Sequence, residues 1–221
     1  SNDGGPAIMA RAYLNRNRAV MPFDRTHNFQ STFVYELPFG KGKKFATNRA
    51  GDLWAGGWQL SGLLSRYSGA PFTVTSDGAS LNLPGSQQTA DVLGTPVNLG
   101  NYGIGQAYYD WKTFGAVSGA SGVRFGTGGI DNVRGPGIAN LDLSLFRQFS
   151  VKERVKMQFR AEAMNVTNTP QLGNPSSNIS SLRTNSSGGF AGGVFEITGV
   201  ANTGRDGLVQ RAFRLGLKVS F

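Results

Sequence analysis

The single histidine, His27, stands beside Asp24 and Arg25 with Ser31 near in sequence, which are the residue types that nucleophilic catalysis would need. No Gly-x-Ser-x-Gly elbow accompanies them. With no cysteine and no second histidine to build a site, His27 reads as a hydrogen-bonded loop residue and the chain as a non-enzyme. Gly40-Lys-Gly-Lys-Lys44 has the basic and glycine content of a phosphate-binding loop, but it lacks the spacing that wraps phosphate oxygens and reads as a solvated turn. Tyr108, Tyr109 and Trp111, with Asp110 among them, have the ring faces that stack on sugars and other flat substrates, and they are candidate substrate contacts in a long loop. Asp142, Arg160, Glu162, Arg214 and Lys218 are the remaining charged set, suited to a cross-strand ladder on a wet face.

Alternation supplies the elements that would carry these residues. Near the end of the chain Phe213, Leu215, Leu217, Val219 and Phe221 alternate with Ala212, Arg214, Gly216, Lys218 and Ser220, the period of an extended strand with one apolar face. The same pattern places Phe29, Phe33, Tyr35 and Leu37 opposite Asn28, Gln30, Thr32 and Glu36, and Pro38 and Gly40 stop that strand. A further strand sets Trp58, Leu60, Gly62 and Leu64 against Gln59, Ser61 and Ser65, and its faltering at Arg66 and Tyr67 predicts a bulge or an exit from the membrane band. Leu141, Leu143, Leu145 and Phe149 oppose Asp142, Ser144 and Gln148; after a tight turn at 150–154, Val155, Met157, Phe159, Ala161 and Ala163 oppose Lys156, Gln158, Arg160 and Glu162. Residues 76–137 and 167–208 are long Gly, Ser and Asn-rich connections, with short strands expected near Tyr108 to Phe114 and Val123 to Phe125.

Composition agrees with strands that meet lipid on one side and water on the other. The 221 residues include 32 glycines and 15 phenylalanines, 39% are hydrophobic, the net charge is +9, and no apolar run approaches the ~20 residues of a transmembrane helix. A transmembrane antiparallel β-barrel fits, with short turns in the periplasm and long loops outside. The 150–154 turn and the 38–57 connection are then periplasmic, while 1–26, 76–137 and 167–208 are extracellular. Trp58, Phe149 and Phe221 fall near one interface and Phe29 and Phe213 near the other. Asp142, Arg160, Glu162, Arg214 and Lys218 face the lumen by parity. Five strands leave two edges open, so the expected object is a C-terminal fragment of a larger barrel.

The order of Phe23-Asp-Arg-Thr-His-Asn-Phe29, Tyr35-Glu-Leu-Pro-Phe-Gly-Lys-Gly-Lys43, Gly57-Trp-Gln-Leu-Ser-Gly62, Ser68-Gly-Ala-Pro-Phe-Thr73, Arg134-Gly-Pro-Gly137, Asp142-Leu-Ser-Leu-Phe146, Phe159-Arg-Ala-Glu-Ala163, Asn168-Thr-Pro170 and Gly216-Leu-Lys-Val-Ser-Phe221 resembles the C-terminal barrel region of Oar-like TonB-dependent receptors. The resemblance implies a barrel of about 22 strands, plugged by an N-terminal domain on which TonB pulls, in the outer membrane of a Gram-negative bacterium. Residues 1–221 would be the C-terminal part of that one barrel domain. It implies uptake of a scarce nutrient, with a small-molecule, glycan or peptide substrate and no cofactor, metal or nucleic acid. Partners would be outer-membrane lipid, lipopolysaccharide, TonB through the plug, and the barrel assembly machinery, which reads the terminal aromatic Phe221 and the row Phe213, Leu215, Leu217 and Val219. A passive porin or an adhesin barrel is the alternative.

Overall fold

A computed structural model describes Ile8 and residues 10–77, 86–118, 124–152, 155–201 and 210–221. Gly4, Gly5, Pro6, Val123, Val209 and the centre of the 150–154 turn lie outside them. In chain order the strands are β1 (Asn28–Glu36), β2 (Trp58–Tyr67), β3 (Pro71–Phe72), β4 (Asp91–Val92), β5 (Phe114–Gly115), β6 (Val133–Arg134), β7 (Ile138–Lys152), β8 (Val155–Met164), β9 (Arg183–Thr184), β10 (Phe190–Gly192) and β11 (Ala212–Ser220). One helix, α1 (Arg49–Ala55), interrupts the connection between β1 and β2. The chain divides into two compact units, one made of 1–26, 68–137 and 172–201 and the other of 27–67, 138–171 and 202–221.

The second unit is a five-stranded antiparallel sheet, order β1-β2-β7-β8-β11, built from the five strands that alternation predicts. Directly paired residues share a face, so the register tests parity. One row reads Tyr35, Leu60, Leu145, Ala161 and Leu215, and the next on that face reads Phe33, Gly62, Leu143, Ala163 and Phe213. All are apolar or glycine. The ring of Phe33 covers Gly62, where an added Cβ would run into the ring edge. The opposite face carries Val34, Ser61, Ser144, Glu162 and Arg214 in one row and Gln148, Gln158 and Lys218 in another. The sheet is open: β1 and β11 are its edges, and closing it into a barrel requires further strands. The register of β2 continues unbroken through Arg66 and Tyr67, so the faltering pattern marks a strand end and not a bulge.

Arg147 breaks the parity, standing on the apolar face between Trp58 and Phe159. Its guanidinium donates to the carbonyls of Asp52 (3.2 Å), Leu53 (2.6 Å) and Trp54 (3.1 Å), and it lies over the Trp58 and Phe149 rings. The Asp52 carbonyl already takes the Gly56 N–H, and the cation at that end of α1 adds a second donor to it while bonding the Leu53 and Trp54 carbonyls of the last turn. Asn48 caps the other end by accepting from the Gly51 N–H, and Gly57, at φ 74°, lets the chain turn from helix into β2. Arg147→Leu keeps the face apolar but removes these charge-assisted bonds, each worth about 2 kcal/mol. The expected result is fraying of α1, read as an about 30-fold faster amide exchange at Gly56, whose N–H bonds the Asp52 carbonyl.

The first unit gathers the long connections around a core of their own. Phe72, Val74, Tyr108, Tyr109, Phe114, Val133, Ile179, Val194, Phe195 and Ile197 are buried together there. Short ladders join β3 to β6, β4 to β5 and β9 to β10. Of the short strands expected in this region, Phe114–Gly115 exists; Trp111–Thr113 is a 3₁₀ turn and 124–126 is irregular.

Candidate functional site

The polar face of the sheet brings the predicted charged residues together. Arg214 pairs in register with Glu162, Gly216 with Arg160, and Lys218 with Gln158, and Arg160 lies 3.5 Å from Glu162. Asp142 has the same parity on the neighbouring strand β7. Thr32, Ser61, Asp142, Ser144, Glu162 and Arg214, together with the apolar Val34, Leu63 and Met164, line an open trough of about 680 Å³ over this face. Opposite charges on adjacent strands stabilise such a wet wall and leave polar groups able to meet a hydrophilic solute.

Asp142 also has a structural task. Its Oδ1 accepts from the Asn140 side chain (2.8 Å) and from the Asn165 N–H (2.9 Å), which fixes the exit of β8. Asn165, at φ 47° and 2% exposed, accepts from the Thr169 N–H and donates to the Thr169 carbonyl. Asn168 and Pro170 mark in the sequence where the chain leaves β8, but the part played by Asn165 is not evident from them. The signal of the turn is the run Asn165-Val-Thr-Asn-Thr-Pro170, rich in residues that bond their own backbone.

The aromatic candidates of the long loop are placed differently from expectation. Tyr108 and Tyr109 are 5% and 7% exposed, packed edge to face in the loop core, and the Tyr109 hydroxyl donates to the Arg134 carbonyl at 2.8 Å. Burial pushes both phenols above their ordinary value. Their rings are enclosed by packing, so neither presents an open face for stacking. Trp111 is half-buried against the same core. His27 is an exposed residue immediately before β1.

Ion pairs and carboxylate caps hold the loop segments. Arg124 grips Asp91 through two parallel bonds of 2.8 and 2.6 Å, and Arg134 bonds Asp24 at 2.5 Å and the Gly69 carbonyl at 3.1 Å. The arginine partners hold both aspartates below the usual carboxylate range. Arg16 and Arg25 donate to the carbonyls of Gly126 and Ser68, which leaves Arg11 and Arg18 as the more open cations of the first segment. Glu196 accepts from the N–H of Gly105 at 2.5 Å and of Gly193 at 2.7 Å, and these two bonds lower its pKa.

Because the folded value lies below the ordinary 4.5, Glu196 contributes stability above about pH 4.5, and that contribution is lost as the pH falls through the depressed value. Acidification should therefore loosen the segments around Gly105 and Gly193. Glu196→Gln, with one acceptor oxygen and no titration, should be weaker at neutral pH and lose this pH dependence, as read by amide exchange at those two glycines.

Among the described residues no group of three or more His, Cys, Asp or Glu is placed to hold a metal ion. Among the same residues no helix is long and apolar enough to cross a membrane. Phe213, Leu215, Leu217 and Val219 are 69%, 77%, 61% and 47% exposed on the apolar face, a surface that water does not favour and lipid does. Comparison with curated proteins finds no match, and neither does comparison with solved structures. A family model described as an outer membrane beta barrel domain matches residues 1–206. With one face built for lipid and the other for water, the chain belongs to the outer membrane beta barrel domain family and resides in the outer membrane of a Gram-negative bacterium, in contact with its lipid.

Proposed function

We propose that this chain is barrel wall of a TonB-dependent receptor that takes a scarce nutrient across the outer membrane without chemically changing it. The observation that carries the reading is the charged face of the sheet, Asp142, Arg160, Glu162, Arg214 and Lys218, which shares its strands with an apolar face on the other side. The resemblance of the ordered motifs to Oar-like receptors supports it, as does the packing of the long connections into a unit with its own core. Short connections face the periplasm and long ones the exterior. Polar residues of the trough would meet a small-molecule, glycan or peptide solute, and TonB would act through a plug encoded elsewhere in the protein. Arg11 and Arg18 are the cations offered to lipopolysaccharide.

Conductance of the full-length protein in a planar bilayer tests this. A plugged receptor should be nearly closed and a porin open, so a steady open conductance overturns the reading in favour of a passive pore. For assembly, the outer-membrane insertion machinery is proposed to read β11 and Phe221. Phe221→Asp should lower the amount of folded protein in the outer membrane while leaving the ligand affinity of what does fold; normal membrane levels with lost binding would contradict it.

A further inference from the structure

We propose that the connection between β1 and β2 is a headgroup collar that selects anionic phospholipid at the periplasmic boundary of the membrane; the leaflet assigned rests on the orientation given under the proposed function.

Three observations converge on it. First, α1 is fastened on the lipid side of the sheet. Its terminal carbonyls are bonded by Arg147 and by the Trp58 Nε1 (3.2 Å to the Trp54 carbonyl), and both residues belong to the apolar face. The helix therefore continues the lipid-facing surface. Secondly, the connection presents large apolar groups to its surroundings: Leu53 is 68% exposed and Trp54 79%, and Phe45, packed against Phe39, is still 50% exposed. Trp at such a position prefers the headgroup layer, where one side of the ring is apolar and the other wet.

Thirdly, the charge is complementary to an anionic headgroup. Residues 37–57 contain Lys41, Lys43, Lys44 and Arg49 but a single carboxylate, Asp52. Lys43 pairs with Glu36 at 2.7 Å, and Asp52 accepts the backbone N–H of Lys41. Lys41, Lys44 and Arg49 remain exposed beside the apolar groups, with Lys44 over the Phe45 ring at 5.4 Å. Long basic side chains lay their stems on apolar surface and carry the charge to the phosphate level. Aromatic and apolar anchors flanked by cations bind interfaces by buried area plus attraction to anionic lipid, and one cation near such a surface strengthens the attraction about fivefold.

The test uses full-length protein in nanodiscs containing brominated phosphatidylglycerol or brominated phosphatidylcholine, with the Trp54 emission taken as the difference from Trp54→Phe. The expected result is half-quenching at a mole fraction of the brominated phosphatidylglycerol lower by at least about fivefold, about fivefold being the contribution of a single cation. The contrast should vanish in the combined Lys41→Gln, Lys44→Gln and Arg49→Gln variant, with folding verified by retention of the heat-modifiable band. Equal quenching by the two lipids in the unaltered protein overturns the anionic selectivity, and no Trp54-dependent quenching overturns the collar. Equal contrast in the combined variant also overturns it, since the cations would not be its source. An open pore in the conductance experiment would end the receptor reading without altering these outcomes.

Discussion

Leu215→Arg should cost about 2–4 kcal/mol of barrel stability, whereas Ser144→Arg should cost close to nothing. The two positions lie in adjacent register rows near mid-strand, so depth in the membrane is nearly matched and the face is what differs. Leu215 shares its row with Tyr35, Leu60, Leu145 and Ala161, a surface with no polar partner for a guanidinium. In hydrocarbon the charge must bend toward the headgroups or draw water in, which is the origin of the cost. At position 144 the same side chain would stand across from Glu162, among Ser61 and the solvent of the trough, and gain an opposite charge. Urea unfolding of the full-length protein refolded into lipid vesicles measures both. Equal penalties would mean that the two faces do not have the opposed solvents assigned to them.

This face assignment was legible in the sequence because alternation is local. Each strand declares its own two faces within about eight residues, even where its partner is distant in the chain, as with β2 and β7 or β8 and β11. The charged set followed from the same parity, and the register brings Glu162, Arg160, Arg214 and Lys218 onto one wall. Arg147 was not legible. Its parity is that of Leu145 and Phe149, and only the helix folding back onto that face supplies the three carbonyls that justify a cation there. The helix itself had a signal that went unused, an Asn48 cap followed by Asp52 in the first turn.

The loop unit was the largest omission, for a different reason. Its core draws Phe72 and Val74 from one segment, Tyr108, Tyr109 and Phe114 from another, and Ile179, Val194 and Phe195 from a third, with no period in any of them. Aromatic residues scattered in Gly and Ser-rich connections look the same in sequence whether they face a ligand or one another. Tyr108 and Tyr109 show the consequence: identity suggested a binding surface, and long-range packing gave them a structural role.

Phe195 is where that unit should be most easily broken. It is fully buried, its ring contacts Tyr109 and Phe114 at centroid distances of 5.8 and 5.3 Å, and its backbone links two segments, donating to the Ser176 carbonyl and accepting from the Tyr108 N–H. It holds φ at 57°, a left-handed conformation that costs about 1–3 kcal/mol and persists only while the surrounding packing imposes it. Phe195→Ala removes the ring, keeps the strained backbone and leaves a cavity, for an expected loss of about 3–5 kcal/mol. That exceeds what the short two-residue ladders of this unit can replace, so its segments should open together. Limited proteolysis of the full-length protein should show new cuts within 86–118 and 172–201, while the sheet, with its separate ladder, keeps its protection. Leu93→Ala, at a position 68% exposed, should leave the pattern unchanged. If Phe195→Ala also left it unchanged, the loops would not depend on this core for their order.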